Sequence, residues 1–103
     1  MTFAQGVYVL CKQVPRGRVT TYGEIAKALN SKAYRAVGAV LRCNPYAPVV
    51  PCHRVVGSDG RIGGFMGESE GKAVEKKVRL LAEEGVRVVK GRVVDFEDCL
   101  FCF

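Results

Sequence analysis

A short segment in the middle of the chain, residues 44–51, contains three of its four prolines and cannot be helical. Proline lacks the amide hydrogen that a helix needs, and it drives the preceding residue toward extended backbone. The segment therefore predicts a rigid loop that ends one helix and leads into extended structure. Because the whole chain has 103 residues, we expect the elements on both sides of this loop to form one domain, residues 1–103.

Apolar residues before the loop recur at helical spacing. Phe3, Val7, Leu10 and Val14 are three or four residues apart, which predicts an amphipathic helix that stops at Pro15.

Two shorter helices are predicted over residues 21–43. Thr21-Tyr22-Gly23-Glu24 has the pattern of a capping box, so a helix is expected to begin there. Another is expected from Lys32 to about Arg42, with Ser31 as its N-cap. About three residues separate the two helices, which is typical of a helix-turn-helix.

Short strands and one more helix are predicted after the loop. Residues 49–56 are apolar and β-branched around a polar centre, which favours extended structure, and residues 57–60 supply a turn. A helix over residues 72–84 ends at Gly85, and Lys90-Gly91 predicts a terminal hairpin. The expected fold class is α+β and mainly helical: a winged-helix-like or helix-turn-helix domain with small β-hairpins.

The charge of the chain is positive and unevenly placed. Sixteen Lys and Arg against ten Asp and Glu give a net charge of +6, which favours association with a polyanion. Six of the basic residues lie within residues 16–42. A solvated basic surface would have the same composition, so charge alone leaves both interpretations open.

Cysteine usage and hydropathy indicate the compartment. Five cysteines are an odd number, which favours a reducing environment, and the lone pair Cys99 and Cys102 lacks the second pair of a structural zinc site. No apolar run approaches a membrane span, and no signal peptide is visible. We expect a cytoplasmic protein, nuclear if eukaryotic, with no metal, cofactor or membrane partner.

Cys52 directly precedes His53, the only histidine. A thiol of ordinary pKa is mostly protonated at neutral pH, so a nucleophilic cysteine needs a base nearby. Adjacent side chains of an extended chain point to opposite faces, so a water molecule would have to bridge the two groups. A carboxylate from elsewhere in the chain would hold the second imidazole nitrogen. An isolated Cys-His pair is more often structural, so the surrounding motifs decide the interpretation.

Five motifs in fixed order make nearly the whole chain resemble the C-terminal catalytic domain of the O6-alkylguanine-DNA alkyltransferases. The motifs are Thr21-Tyr22-Gly23-Glu24-Ile25-Ala26, Ala33-Tyr34-Arg35-Ala36-Val37-Gly38, Arg42-Cys43-Asn44-Pro45, Pro51-Cys52-His53-Arg54-Val55-Val56 and Leu80-Leu81-Ala82-Glu83-Glu84-Gly85. The resemblance implies a cofactor-free, monomeric DNA-repair methyltransferase. It would flip O6-alkylguanine out of double-stranded DNA, bound through the minor groove, and transfer the alkyl group irreversibly to its own cysteine.

The resemblance also implies roles for residues of the loop, about 44–56, and of the last motif. Cys52 matches the alkyl acceptor, and His53 matches the base that acts through water. Glu84 matches the carboxylate that orients the histidine, although Glu83 is its neighbour. Asn44 is similar to the asparagine that fixes the turn after the recognition helix.

Further roles are implied for the helix-turn-helix and the substrate pocket. Arg35 matches the side chain that fills the gap left by the flipped nucleotide, and Tyr22 matches the tyrosine near its phosphate and purine ring. The other DNA-facing residues would be Ala33, Ala36, Gly38, Ala39 and Arg42. The substrate-binding residues would be Val55, Phe65 and Met66.

The segment at Phe65 departs from the family pattern. Members commonly have tyrosine followed by a small polar residue where this chain has Phe65 and Met66, so a hydroxyl that could contact O6 is missing. The Met66 backbone amide could still donate. About five additional residues at 67–72 lengthen this loop.

Three other functions fit parts of the sequence. An alkyltransferase-like protein would bind the lesion without transfer, but such proteins replace the acceptor cysteine. A cysteine hydrolase could use Cys52, His53 and Glu84, but it would also need an oxyanion hole and a water path. A helix-turn-helix regulator needs only the basic first half. Turnover and retention of the alkyl group discriminate among these functions.

Overall fold

The computed structural model of the chain describes residues 1–46, 49–63 and 71–103. The helices are α1 (Phe3–Gln13), α2 (Tyr22–Ala28), α3 (Tyr34–Arg42), α4 (Lys72–Glu83) and α5 (Phe96–Cys99). The strands are β1 (Thr20–Thr21), β2 (Val55–Val56), β3 (Val88–Val89) and β4 (Arg92–Val93), and Cys52–Arg54 forms one 3-10 turn. This arrangement confirms the predicted α+β, mainly helical class. No helix in these residues is long and apolar enough to cross a membrane.

The first three helices pack around one apolar core. Val7 and Cys11 of α1, Ile25 of α2 and Val37 of α3 are fully buried together. Helix α1 lies close to the end of α2 at Gly6, where a β-carbon would lie 2.9 Å from the Leu29 Cδ2 atom. Helices α2 and α3 form the predicted helix-turn-helix.

A second core lies under the short strands and α4. β1 pairs with β2 in parallel, Thr20 opposite Val55, and β3 pairs with β4 antiparallel. Lys90 and Gly91 both have positive φ, +52° and +77°, as the tight turn of the predicted hairpin requires. Gly85, with φ of +86°, ends α4 as expected.

The C-terminal tail is held against the start of β1. The Val19 N–H donates to the Cys99 carbonyl at 3.0 Å, and the Phe101 N–H donates to the Val19 carbonyl at 2.7 Å. Arg18 donates to the carbonyls of Cys99 and Leu100. Cys99 and Cys102 are both free thiols, and the described residues contain no cluster that could hold a metal ion.

Helix α3 begins two residues later than predicted. The Ser31 hydroxyl accepts from the Ala33 N–H at 2.9 Å and forms a local turn instead of capping a helix. Asn30, with φ of +56°, reverses the chain just before it. The helix therefore begins at Tyr34, without a side-chain cap.

The backbone around Cys52 also differs from the prediction, because it is a 3-10 turn and not extended. The Arg54 N–H donates to the Pro51 carbonyl at 2.9 Å, which closes the turn directly after the proline. Extended structure begins only at Val55.

Candidate active site and DNA-facing surface

Asn44 ties together the two ends of the proline-rich loop. Its Nδ2 donates to the Val50 carbonyl at 3.0 Å, and its Oδ1 accepts from the Tyr46 N–H at 2.9 Å. The side chain is buried, so it forms these bonds in place of bonds to water. Asn44 thereby sets the path of the chain from α3 toward Cys52.

Cys52 lies at the start of the 3-10 turn and is only 6% exposed. Its N–H donates to the Val50 carbonyl at 2.8 Å, so the end of the loop fixes its backbone. The side chain belongs to the core between α1, α2 and α3. Because residues of α2 and α3 form part of this core, Cys52 packs against the inner side of the helix-turn-helix.

His53 and Glu84 are joined across 31 residues of sequence. The His53 Nε2 and Glu84 Oε2 atoms are 3.0 Å apart. A carboxylate only accepts, so the neutral imidazole carries its proton on Nε2 and leaves Nδ1 as an acceptor. The predicted carboxylate is thus Glu84, whereas Glu83 is exposed and its backbone carbonyl accepts from Arg16.

Arg54 holds the other side of the Glu84 carboxylate. Its Nε and Nη2 donate to Glu84 Oε1 and Oε2 at 2.9 and 2.7 Å, and its Nη1 donates to the Val14 carbonyl at 2.8 Å. This two-point pairing orients the carboxylate toward His53. No role was predicted for Arg54, although its position beside Cys52-His53 was a signal in the sequence.

The protonation states of His53 and Glu84 follow from burial and pairing. Burial lowers the pKa of His53 and outweighs the hydrogen bond and charge of Glu84, which raise it. Burial raises the pKa of Glu84, but the hydrogen bonds and charges of Arg54 and His53 together outweigh it, so the net shift is downward. At neutral pH the pair is a neutral imidazole beside an ionised carboxylate.

Tyr22, the first residue of α2, lies between α3 and the residue that precedes segment 64–70. A β-carbon on Gly38 would lie 3.9 Å from its ring, and one on Gly63 would lie 3.7 Å from its hydroxyl. Burial, and after it the charge of Cys52, raises the pKa of Tyr22. The hydroxyl therefore keeps its proton and can act as a donor near Cys52.

Lys77 is a buried cation of α4, within the predicted helix 72–84, for which no role was predicted. Its Nζ donates to the Val55 and Ile62 carbonyls at 2.8 and 2.6 Å. Burial lowers its pKa to about 8, although the charge of Cys52 opposes this shift. A lysine at an apolar position of a helix was the signal for it. Lys77 links α4 to both ends of segment 55–62.

Helix α3 presents its small and basic residues to solvent. Val37 and Leu41 point into the core. The exposed residues are Ala33, Arg35, Ala36, Ala39 and Arg42, and Gly38 is half-buried. The predicted DNA-facing residues at and near α3 are thus accessible to solvent, whereas Tyr22 lies on α2.

Of the three predicted substrate-binding residues, one lies within the described residues. Val55 is fully buried in β2, and its carbonyl is a partner of Lys77. Phe65 and Met66 lie outside the described residues.

Comparison with known proteins identifies similar chains. Residues 2–86 match the sequence profile of the 6-O-methylguanine DNA methyltransferase, DNA binding domain. A methylated-DNA–protein-cysteine methyltransferase of Thermococcus kodakarensis is 50% identical over 86 residues, covering 82% of this chain and 45% of the relative. One of Methanosarcina mazei is 48% identical over 64 residues, covering 61% and 40%. The chain thus spans less than half the length of these relatives.

Two solved structures show the same fold. Schizosaccharomyces pombe Atl1, in complex with damaged DNA containing O6-carboxymethylguanine, is 28% identical with a TM-score of 0.83, and the match covers 96% of this chain and 94% of Atl1. Mycobacterium tuberculosis OGT in complex with DNA is 38% identical with a TM-score of 0.72, covering 82% and 50%. Both of these similar proteins were solved with DNA.

Proposed function

The chain belongs to the 6-O-methylguanine DNA methyltransferase family, and from this premise we propose that residues 1–103 form one catalytic domain that repairs O6-alkylguanine in double-stranded DNA. The alkyl group passes irreversibly to Cys52, and the protein works as a monomer without a cofactor. The observation that carries this proposal is the hydrogen bond that His53, the residue directly after Cys52, donates to Glu84.

The proposed transfer is a single displacement on the alkyl carbon. His53 accepts the thiol proton of Cys52 through its free Nδ1, by way of a water molecule, and the ionised Glu84 stabilises the imidazolium that forms. The sulfur then bonds to the alkyl carbon as the bond from that carbon to guanine O6 breaks. The electron pair stays on guanine, and the proton lost by the thiol is balanced by the one that guanine regains at N1.

Tyr22 supports the departure of guanine in this proposal. Its protonated hydroxyl donates to the leaving base as negative charge develops there. The thioether left on Cys52 is stable, so each protein molecule reacts once.

The outer surface of α3 is the proposed DNA contact. Small residues at 33, 36, 38 and 39 allow the backbone to enter the narrow minor groove, while Arg42 contacts phosphate. Arg35 fills the gap left by the extruded nucleotide, which offsets part of the unstacking cost. Val55, Phe65 and Met66 border the flipped base.

Gly38 supports this interpretation energetically. Glycine within a helix costs about 1 kcal/mol relative to alanine. Among the described residues, a β-carbon there would meet nothing closer than the Tyr22 ring, 3.9 Å away, which is ordinary contact. Internal packing therefore does not require glycine at this position, whereas close approach of DNA does.

The test is transfer from duplex DNA that carries O6-methylguanine. Mass spectrometry of digested protein is expected to find one added methyl group on the peptide with Cys52, and none after Cys52→Ala. Cys43→Ala, at an exposed cysteine, is the matched control and keeps full transfer. Methylation at another residue, or repeated turnover, would contradict the proposal.

A second candidate function is damage binding without transfer. The nearly complete two-way match to Atl1 favours it, because Atl1 was solved bound to damaged DNA. Retention of Cys52 favours transfer instead. Tight binding of the same duplex with an unmodified Cys52 would decide for the second function.

A further inference from the structure

Tyr34 is an exposed aromatic residue that packs against no other aromatic ring among the described residues. It is the first residue of α3, it directly precedes Arg35, and 52% of its surface is exposed. By contrast, the exposed Tyr46 packs edge-on against Tyr8, with ring centroids 5.7 Å apart.

The ring of Tyr34 lies against the guanidinium of Arg35. The Arg35 Cζ atom is 5.9 Å from the centroid of the ring, within the range of a cation–π interaction. In the described part of the chain Arg35 forms no salt bridge, and the first turn of α3 carries no acidic residue. Among the described residues, the contact of the Arg35 guanidinium is therefore the one with the Tyr34 ring.

We propose that Tyr34 is a positioning residue that holds the Arg35 guanidinium ready to enter the base stack. This inference rests on the proposed function, in which Arg35 replaces the extruded nucleotide. A free arginine side chain samples many rotamers and loses that freedom on insertion. A guanidinium already held over a ring loses less, so more of its binding energy remains to stabilise the extruded state.

Base extrusion can be measured without transfer. The protein carries Cys52→Ala, and the duplex carries 2-aminopurine next to O6-methylguanine, since the fluorescence of 2-aminopurine rises when its stack opens. We expect Tyr34→Ala and Tyr34→Leu to reduce the extruded fraction at equilibrium by about 2- to 30-fold. Tyr34→Phe keeps the ring and is expected to match the parent. Phe103→Ala, an exposed aromatic on the tail, is the matched control.

A double-mutant cycle shows whether Tyr34 acts through Arg35. In an Arg35→Ala background, Tyr34→Ala is expected to cause no further loss. An equal loss in that background would mean that the ring contacts DNA directly, and it would overturn the proposal. Normal extrusion with Tyr34→Leu would overturn the proposal as well, because a side chain of similar bulk without an aromatic face would then position Arg35 equally well.

Failure of this inference is separable from failure of the proposed function. If the unaltered chain methylates Cys52 while the Tyr34 variants extrude the base normally, only the inference about Tyr34 is wrong. If the unaltered chain leaves Cys52 unmodified, the proposed function is wrong. Transfer from free O6-alkylguanine base, which needs no extrusion, is expected to be unchanged by Tyr34→Ala.

Discussion

At the scale of single residues, the reactivity of the site depends on opposing electrostatic effects on neighbouring groups. Burial alone would push the pKa of Glu84 upward, yet Arg54 and His53 keep it ionised. Burial keeps His53 neutral despite that carboxylate. Burial also raises the pKa of Cys11 to about 12, so this thiol stays protonated and unreactive behind Cys52. In the proposed mechanism Cys52 reacts with His53 as its base, whereas the buried Cys11 stays protonated.

Replacing His53 with Gln is expected to lower the single-turnover transfer rate by roughly 10²–10⁴-fold, the usual contribution of a positioned base. Glu84→Gln is expected to lower it too, because it removes the charge that stabilises the imidazolium. Rapid-quench measurement of Cys52 methylation follows the rate. Glu83→Gln, one residue away and exposed, is the control, and a loss as large there would contradict the assignment of Glu84.

The transfer rate should also depend on pH in a definite direction. Because the pKa of His53 lies below its ordinary value of about 6.5, the imidazole stays an effective base at that pH. As the pH falls from 8, the rate is expected to hold to 6.5 and to fall only below it. A decline that begins above pH 7 would mean that His53 is protonated too easily to be this base.

At the scale of elements, α4 connects the site to the strands. It carries Lys77, which bonds to backbone carbonyls at both ends of segment 55–62, and Glu84 is its C-cap residue. The Glu84 side chain contacts His53, so the end of α4 is fixed to the Cys52–Arg54 turn.

Stability is expected to rise between about pH 8 and 10.5 because of Lys77. Its pKa is about 8 in the fold and 10.5 when unfolded, so in this window the unfolded chain binds more protons, and deprotonation favours folding. Denaturant unfolding of the parent and Lys77→Met across this window isolates the effect, since the difference cancels the contributions of other groups. If the difference in unfolding free energy between the parent and Lys77→Met did not change with pH, the pKa of Lys77 would not be lowered in the fold.

Gly38→Ala is expected to stabilise the free protein by up to about 1 kcal/mol and yet weaken DNA binding. The methyl group gains helix propensity but obstructs approach to the groove. Thermal unfolding and DNA titration measure the two effects. Gly6→Ala on α1 is the contrasting control: the same substitution requires only that the Leu29 side chain shift, and DNA affinity is expected to stay unchanged. Unchanged DNA affinity in Gly38→Ala would remove α3 from the proposed interface.

At the scale of the whole molecule, the chain combines two apolar cores with a net positive charge. The core of the helix-turn-helix holds Cys52, and the second core holds the strands, α4 and the packed tail. The net charge of +6 favours association with DNA regardless of sequence, and in the proposed function Cys52 then reacts only with the lesion.

The affinity for undamaged duplex DNA is therefore expected to fall steeply with salt. Each phosphate neutralised by lysine or arginine contributes about −0.9 to the slope of log affinity against log salt concentration. Arg42→Ala is expected to make the slope shallower by about one. Lys90→Ala, at the tip of the β3–β4 turn, is the charge-matched control. An affinity independent of salt would argue against a phosphate-binding surface.

Local sequence determined the elements and the order of the motifs. Helical spacing, the Lys90-Gly91 turn and the stop at Gly85 depend on neighbours in the chain, so they could be predicted without a structure. The boundaries were less certain: α3 begins at Tyr34 because Ser31 forms a local bond, and Cys52 lies in a turn closed by Pro51. Each is a choice between alternatives of similar energy.

Only the tertiary structure decided which distant groups meet. His53 bonds to Glu84 and not to Glu83, and Arg54 pairs with the same carboxylate, because α4 packs against the Cys52–Arg54 turn. Lys77 is buried in the same packing. Periodicity along a chain does not specify contacts between residues 22 to 31 positions apart. Those contacts also set the pKa of each group, because burial and pairing exist only once the elements have packed.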